Sequence, residues 1–291
     1  MKQKEINFSP AVWISAGSEY PAPLFRKRFF AEDIKKAVLL VGCFGMFEGF
    51  LNEKPVSDEK YGTLNTDFHR RDAMEYCGVP FAEDLAHRLY CPEYDVTDLL
   101  FEGENTLCFQ LGSGWYERDG DTGFGHVKLC FRLSVTHSDG SESIICSDET
   151  VKRHKSMLCE CDLILGETQD FTEFPDDWMQ KDFPDNTWEN AICENAPDTR
   201  YLPQDCPGDR VIRTLKPTLL SEKDGKRIYD AGEMMTGYPV FCAPGKKQEI
   251  RVRFGELLDA DGNLDENKIY NQHMTFYTDE KPRTLQAYVT W

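Results

Sequence analysis

No stretch of this chain stays apolar for the ~20 residues that a helical bilayer crossing needs, and the opening MKQKEINFSPAVWISAG lacks the continuous apolar core of a secretory signal. The expectation is a cytoplasmic protein without a membrane span. Basic residues are in short supply: 33 Lys and Arg against 51 Asp and Glu give a formal net charge of -18. That imbalance repels phosphate backbones and anionic headgroups, which argues against nucleic acid and membrane surfaces as partners. Paired C-x-x-C spacing is missing. The 11 cysteines are odd in number and scattered from Cys43 to Cys242, a pattern of reduced, mostly buried thiols. Cys159 and Cys161, two apart, do not form a metal clip.

The common catalytic signatures are absent too. His69, His87, His126, His137, His154 and His273 include no i, i+4 pair with a Glu between, so there is no H-E-x-x-H zinc site. Ser113 stands in LGSGW, where Leu111 occupies the place of the first Gly of a G-x-S-x-G elbow. Gly42, Gly45 and Gly49 are not followed by Lys-Ser or Lys-Thr, which excludes a phosphate loop.

What is present is β-pattern. At 291 residues and 40% hydrophobic content the chain can fill two cores. From Pro23 to about Ile164 the segments LFRKRFF, AVLLVGCF, TLCFQL, VKLCFRLSV and ESIICS read as short strands, with Asp139-Gly140 as the hairpin turn before the last. Phe81, Leu85 and Leu89 share a helical face that Pro92 would end. That segment and Tyr61 to Val79 read as an insertion between strands. Between Glu167 and Pro217 the composition shifts to Pro, Asp, Asn and Trp, a connecting segment in which Trp178 and Trp188 act as anchors on a domain body. Strands return as RIYDAG, YPVFCA, QEIRVRFGELL, MTFYT and TLQAYVTW, with turns at Asp224-Gly225 and Asp261-Gly262. The expected fold is all-β: an N-terminal β-sandwich with connecting segment over 1–200, and a second sandwich over 210–291 that is incomplete at its C-terminal edge.

Acidic residues are abundant, but a glycosidase needs two carboxyls held across one bond. Glu256 and Asp259 flank a turn, and Asp230 and Glu233 suit turn capping, so no catalytic residue is assigned. Asp259, Asp261, Asn263 and Asp265 resemble a calcium loop, but Gly262 falls fourth in the run rather than sixth, and a hairpin turn is the preferred reading.

The stretch Tyr94 to Tyr116, YDVTDLLFEGENTLCFQLGSGWY, is the most informative. Thr106, Cys108 and Gln110 alternate with Leu107, Phe109 and Leu111, so this strand packs both faces or lies at a core edge. It ends in Gly112-Ser113-Gly114, which puts Trp115 and Tyr116 on a turn, with Asp119 and Asp121 following in ERDGDTGFG. One reading is a carbohydrate site, in which the rings stack on a sugar face and the carboxylates accept from hydroxyls. The other is that both rings anchor the loop against a neighbouring domain.

The same stretch resembles the N-terminal β-sandwich region of bacterial α-L-rhamnosidases of glycoside hydrolase family 78, where a YDVT-LL--GEN----LGNGWY pattern recurs. AVWI, PLFRKRF, AVLLVGCFGMFEGFLNEK, GETQD, DFPDNTWENA, DAGEMMTGYP and RFGELLDADGNL agree in the same order. Asn52-Glu53 replaces the family's Asn-Gly turn. The resemblance implies jelly-roll sandwiches, galactose-binding-like and then concanavalin-like, and a rhamnose-containing carbohydrate as partner. It also implies a catalytic helical barrel that this chain lacks, and calcium as an assistant to sugar binding at Asp119 and Asp121. No other cofactor is expected. The alternative reading is a stand-alone carbohydrate-binding protein of lectin type.

Overall fold

Beyond the exposed Lys35 and Lys36, both faces of the Ile34–Phe44 strand are apolar and covered. Side chains alternate across a strand. In the computed structural model, which describes residues 5–66, 68, 87–116, 125–162, 166–265 and 273–288, Ala37, Leu39, Val41 and Cys43 enter a core with Phe25, Phe109 and Phe131. Leu40 and Phe44 point the other way, into a second cluster with Phe8, Trp13, Phe68, Leu89 and Tyr116. With core on each side, the strand has no polar face, which accounts for the run AVLLVGCF.

The first core lies between two six-stranded sheets. One runs in the order Ile192–Glu194, Trp13–Ser15, Lys128–His137, Ile34–Phe44, Glu93–Asp95, with Glu142–Cys146 added to Lys128–His137. The other runs Glu189–Asn190, Lys152–Lys155, Pro23–Ala31, Gly103–Gly112, Met46–Leu51, Lys54–Pro55. Pairing within both is antiparallel. The expected Asp139-Gly140 turn closes its hairpin with the His137 amide donating to the Ser141 carbonyl and Gly140 at φ 86°. At the other unusual turn, Asn52 and Glu53 adopt φ 52° and 69°, so Glu53 takes the left-handed conformation that the family's glycine adopts freely.

The outer face of the second sheet is covered by the connecting segment. Trp178 and Trp188 are buried, with Trp188 stacked on His154 at 4.6 Å. Beneath them Arg26 is fully buried, and four hydrogen bonds hold its guanidinium. Its Nη1 meets Asp185 Oδ2 at 2.5 Å, Nε donates to the Trp178 carbonyl at 3.0 Å, and Nη2 donates to the carbonyls of Gln180 and Lys181 at 2.5 and 3.1 Å. Arg28 reaches the other oxygen of Asp185 at 2.6 Å.

Backbone contacts divide the chain into Met1–Ser156 with Pro175–Arg210, and Met157–Phe174 with Val211–Trp291. This differs from the expected 1–200 and 210–291 division in one place: 157–174 goes with the second unit. The reason is a parallel pairing of Gly166–Asp170 with His273–Thr278. Gly166 makes it possible, since its φ is +110° and a Cβ there would lie 1.8 Å from the His273 carbonyl oxygen. Leu158–Asp162 and Gln248–Arg253 complete a four-stranded sheet, Val240–Ala243 pairs with Arg283–Gln286, and Asp224-Gly225 closes the Thr218–Lys223/Lys226–Asp230 hairpin. Met274, Phe276, Leu285 and Ala287 are buried within this unit.

The chain is all-β, in two β-sandwich units. Among the described residues the helical elements are the short 3-10 turns Thr97–Leu99 and Asp185–Thr187, and no helix is long and apolar enough to cross a membrane. Of the expected helical face, Phe81 and Leu85 lie outside the described residues, as does most of the 61–79 insertion. Leu89 departs from that expectation. It lies in the Arg88–Cys91 strand, pairs in parallel with Arg200–Pro203, and is buried with Cys91 at a spacing of two, so a sheet partner distant in sequence overrides the local helical period.

Candidate functional site

The turn that carries Trp115 is built on close approach. Gly45, at φ +125°, lets the chain pass between sheets where a Cβ would lie 2.7 Å from the Gly112 carbonyl and 2.8 Å from Val127. Gly114, at φ +55°, lies against Met46, whose Cγ a Cβ would meet at 2.6 Å. Ser113 Oγ donates to the Pro21 carbonyl at 3.4 Å, and the Tyr116 amide donates to the Ser113 carbonyl at 3.1 Å. The turn therefore has a fixed backbone.

This backbone splits the aromatic pair. Tyr116 is 1% exposed and packs on Phe44 and Phe68, with ring centroids 5.1 and 5.5 Å apart. It is a packing residue, a correction to its expected sugar-stacking role, because the outer-face cluster leaves its ring no open side. Trp115 is 41% exposed. Asp119 and Asp121 lie outside the described residues. Among the described residues no three His, Cys, Asp or Glu side chains gather in a way that could hold a metal ion.

The register brings a polar cluster to the same end of the first sandwich, since Lys128 pairs with Phe44 and Ser15, and Met46 with Gly112. Glu194 accepts from Ser15 Oγ at 2.7 Å, meets His126 Nε2 at 2.8 Å and lies 3.3 Å from Lys128 Nζ. Burial raises the Glu194 pKa, but the Ser15 hydroxyl, His126 and Lys128 together outweigh it and hold the carboxyl below its ordinary value. The cluster is thus an ionised acceptor with its donors in place. Nothing local in the sequence marked it, because Ser15 and Glu194 are 179 residues apart.

Of the other acids that the sequence singled out, Asp259, Asp230 and Glu233 are occupied in turns and ion pairs. Asp259 Oδ1 accepts from the amides of Asp261 and Asn263 at 2.9 and 2.8 Å, and Leu258 bridges Leu264, which makes the run a closed hairpin. Glu256 is exposed beside it. Asp230 caps its turn through the Gly232 amide at 2.8 Å, and Glu233 pairs with Arg213. Glu167, fully buried, accepts from the Tyr288 amide at 2.7 Å.

A sequence model described as the α-L-rhamnosidase N-terminal domain matches residues 32–213. The chain belongs to this α-L-rhamnosidase N-terminal domain family. An α-L-rhamnosidase of Formosa agariphila is 27% identical over 273 residues, covering 88% of this chain and 26% of that protein. One of Alteromonas sp. strain LOR is 26% identical over 288 residues, covering 95% and 29%. The structure of α-L-rhamnosidase from Dictyoglomus thermophilum superposes with a TM-score of 0.83 at 26% identity, covering 96% of this chain and 32% of that one. The Streptomyces avermitilis α-L-rhamnosidase complexed with L-rhamnose shares the fold, with a TM-score of 0.80 at 22% identity over 93% of this chain and 26% of that one. The chain thus spans between a quarter and a third of the length of these relatives.

In this rhamnosidase N-terminal domain the motifs that carry the resemblance hold one another. PLFRKRF and DFPDNTWENA meet through Arg26, Asp185 and Arg28. In YDVT, Asp95 Oδ1 accepts from the Thr97 amide and hydroxyl, and Thr97 Oγ1 accepts from the Ala37 amide. In GEN, Asn105 Oδ1 accepts from the Phe101 amide and from Asn52 Nδ2. These are scaffold contacts.

Proposed function

We propose that this chain is a non-catalytic β-sandwich part of a family 78-like α-L-rhamnosidase, supporting a helical catalytic barrel and contacting rhamnose-containing carbohydrate. The observation that carries the reading is that nearly the whole chain matches about a quarter to a third of each α-L-rhamnosidase above. The occupied state of three of the four acids weighed as candidates supports it, since Asp259, Asp230 and Glu233 serve turns and ion pairs. Trp115 supplies an exposed ring on a rigid turn, and Asp119 and Asp121, with calcium, are the proposed polar partners. A cytoplasmic setting fits the described cysteines, none of which is in a disulfide.

A single shallow stacking contact gives a dissociation constant on the order of millimolar. Titration of L-rhamnose with and without calcium, followed by tryptophan fluorescence in wild type and Trp115→Ala, tests the sugar contact. Saturation lost in the variant is the expected result. Identical curves in both proteins would remove Trp115 from the site.

A further inference from the structure

A cleft lies at the end of the first sandwich opposite the Trp115 turn, where the Pro23–Ala31 and Lys128–His137 strands end and the Glu142–Cys146 strand begins. Its volume is about 330 Å³, at the lower end of the ~300–1,000 Å³ range of small-molecule sites. Phe30, Asp33, His137, Asp139, Ser141 and Ser143 line it. Phe30 is 67% exposed, a large ring left in water at the end of a strand.

The polar groups are fixed before any ligand arrives. Glu102 accepts the amides of Asp33 and Ile34 at 2.9 and 3.2 Å, which locks Asp33 at φ 50°. Asp33 accepts from both the hydroxyl and the amide of Ser138, and Asp139 Oδ1 accepts from both the hydroxyl and the amide of Ser141. These hydrogen bonds, the hydroxyl first in each case, hold both carboxyls below their ordinary range. His137 Nδ1 donates to the Glu32 carbonyl at 3.0 Å, and its Nε2 lies 2.6 Å from the Ser143 hydroxyl.

The cleft is rich in acceptors, lined by no Lys or Arg, and flanked by one apolar ring. Carboxylates repel anions, and hydroxyl donors satisfy acceptors, while the C–H face of a pyranose suits an aromatic ring. From this arrangement we infer that the Phe30–Asp33–His137–Ser143 cleft binds a neutral pyranose ring, as a subsite separate from the Trp115 turn. The inference stands on this cleft alone and does not need the Trp115 contact.

The test is an amide-resolved NMR titration of the whole chain with methyl α-L-rhamnopyranoside, methyl β-D-galactopyranoside and methyl β-D-glucopyranoside, up to tens of millimolar. The expected result is saturable shifts at residues 30–33 and 137–143 with at least one pyranoside. They should persist in Trp115→Ala and weaken about tenfold or more, that is by about 1.4 kcal/mol, in Phe30→Ala. Asp33→Asn, which tolerates the left-handed turn, should weaken them too while leaving the rest of the spectrum in place. Absence of shifts with all three sugars, equal shifts in Phe30→Ala, or saturation by tetramethylammonium or calcium instead of sugar would overturn the inference.

Discussion

Replacing Arg26 with Met keeps the length of the side chain and removes its charge and all of its donors. The guanidinium is fully buried, with bonds to Asp185 and to the carbonyls of Trp178, Gln180 and Lys181. Removing one partner of a buried ion pair costs about 3–5 kcal/mol. Arg28, at 2.6 Å and with its side chain 44% exposed, still neutralises Asp185, which places the expected loss at the lower end, about 3 kcal/mol. Against a total stability of about 5–15 kcal/mol, that is enough to loosen the connecting segment. Four of the five tryptophans, Trp13, Trp115, Trp178 and Trp188, lie in the first unit, so urea melting followed by tryptophan fluorescence reads it selectively. Trypsin should also cut Arg26→Met at Lys181 faster than wild type. A loss below about 1 kcal/mol with unchanged cleavage would refute the claim that this ion pair clamps the segment to the sandwich.

The Glu194 carboxyl is held below its ordinary value of 4.5, so its contribution is present above that pH and is lost as pH falls through its lower folded value. Protection factors at the Ser15 and Ile192 amides, corrected for the intrinsic exchange rate at each pH, should therefore fall as the pH drops below 4.5, and pH-independent protection factors would contradict the cluster's role. Burial raises the pKa of Cys43 and pushes that of Cys108 up to about 12, so iodoacetamide should label the exposed Cys193, Cys206 and Cys242 first. Equal labelling of Cys43 in the native protein would count against the packed core. Gly166→Ala forces a Cβ against the His273 carbonyl at a positive φ and should destabilise the second unit by about 3 kcal/mol, read as faster exchange at the amides of 274–278.

The strands were legible because period-two patterning and turn dipeptides are local signals. Leu107, Phe109 and Leu111 enter the core between the sheets, while Cys108 and Gln110 are buried on the opposite face. Asp139-Gly140 and Asp224-Gly225 close hairpins. Long-range pairing was not legible: the parallel partner of Gly166–Asp170 lies about a hundred residues on, and Arg26 meets Asp185 across 159. The site was half legible. A Gly-rich turn predicts where Trp115 and Tyr116 sit, but which ring faces water depends on Phe44 and Phe68. The Phe30 cleft gave one faint signal: Phe29 and Phe30 are adjacent in a strand and cannot both face the same core.

The central proposal is that this chain supports catalysis without performing it. Incubation of the purified chain with an aryl α-L-rhamnoside, with and without calcium, tests that directly. The account predicts no release of the aryl group above the buffer rate. Turnover that persists through repurification, and disappears when one carboxylate of this chain is replaced by its amide, would contradict it.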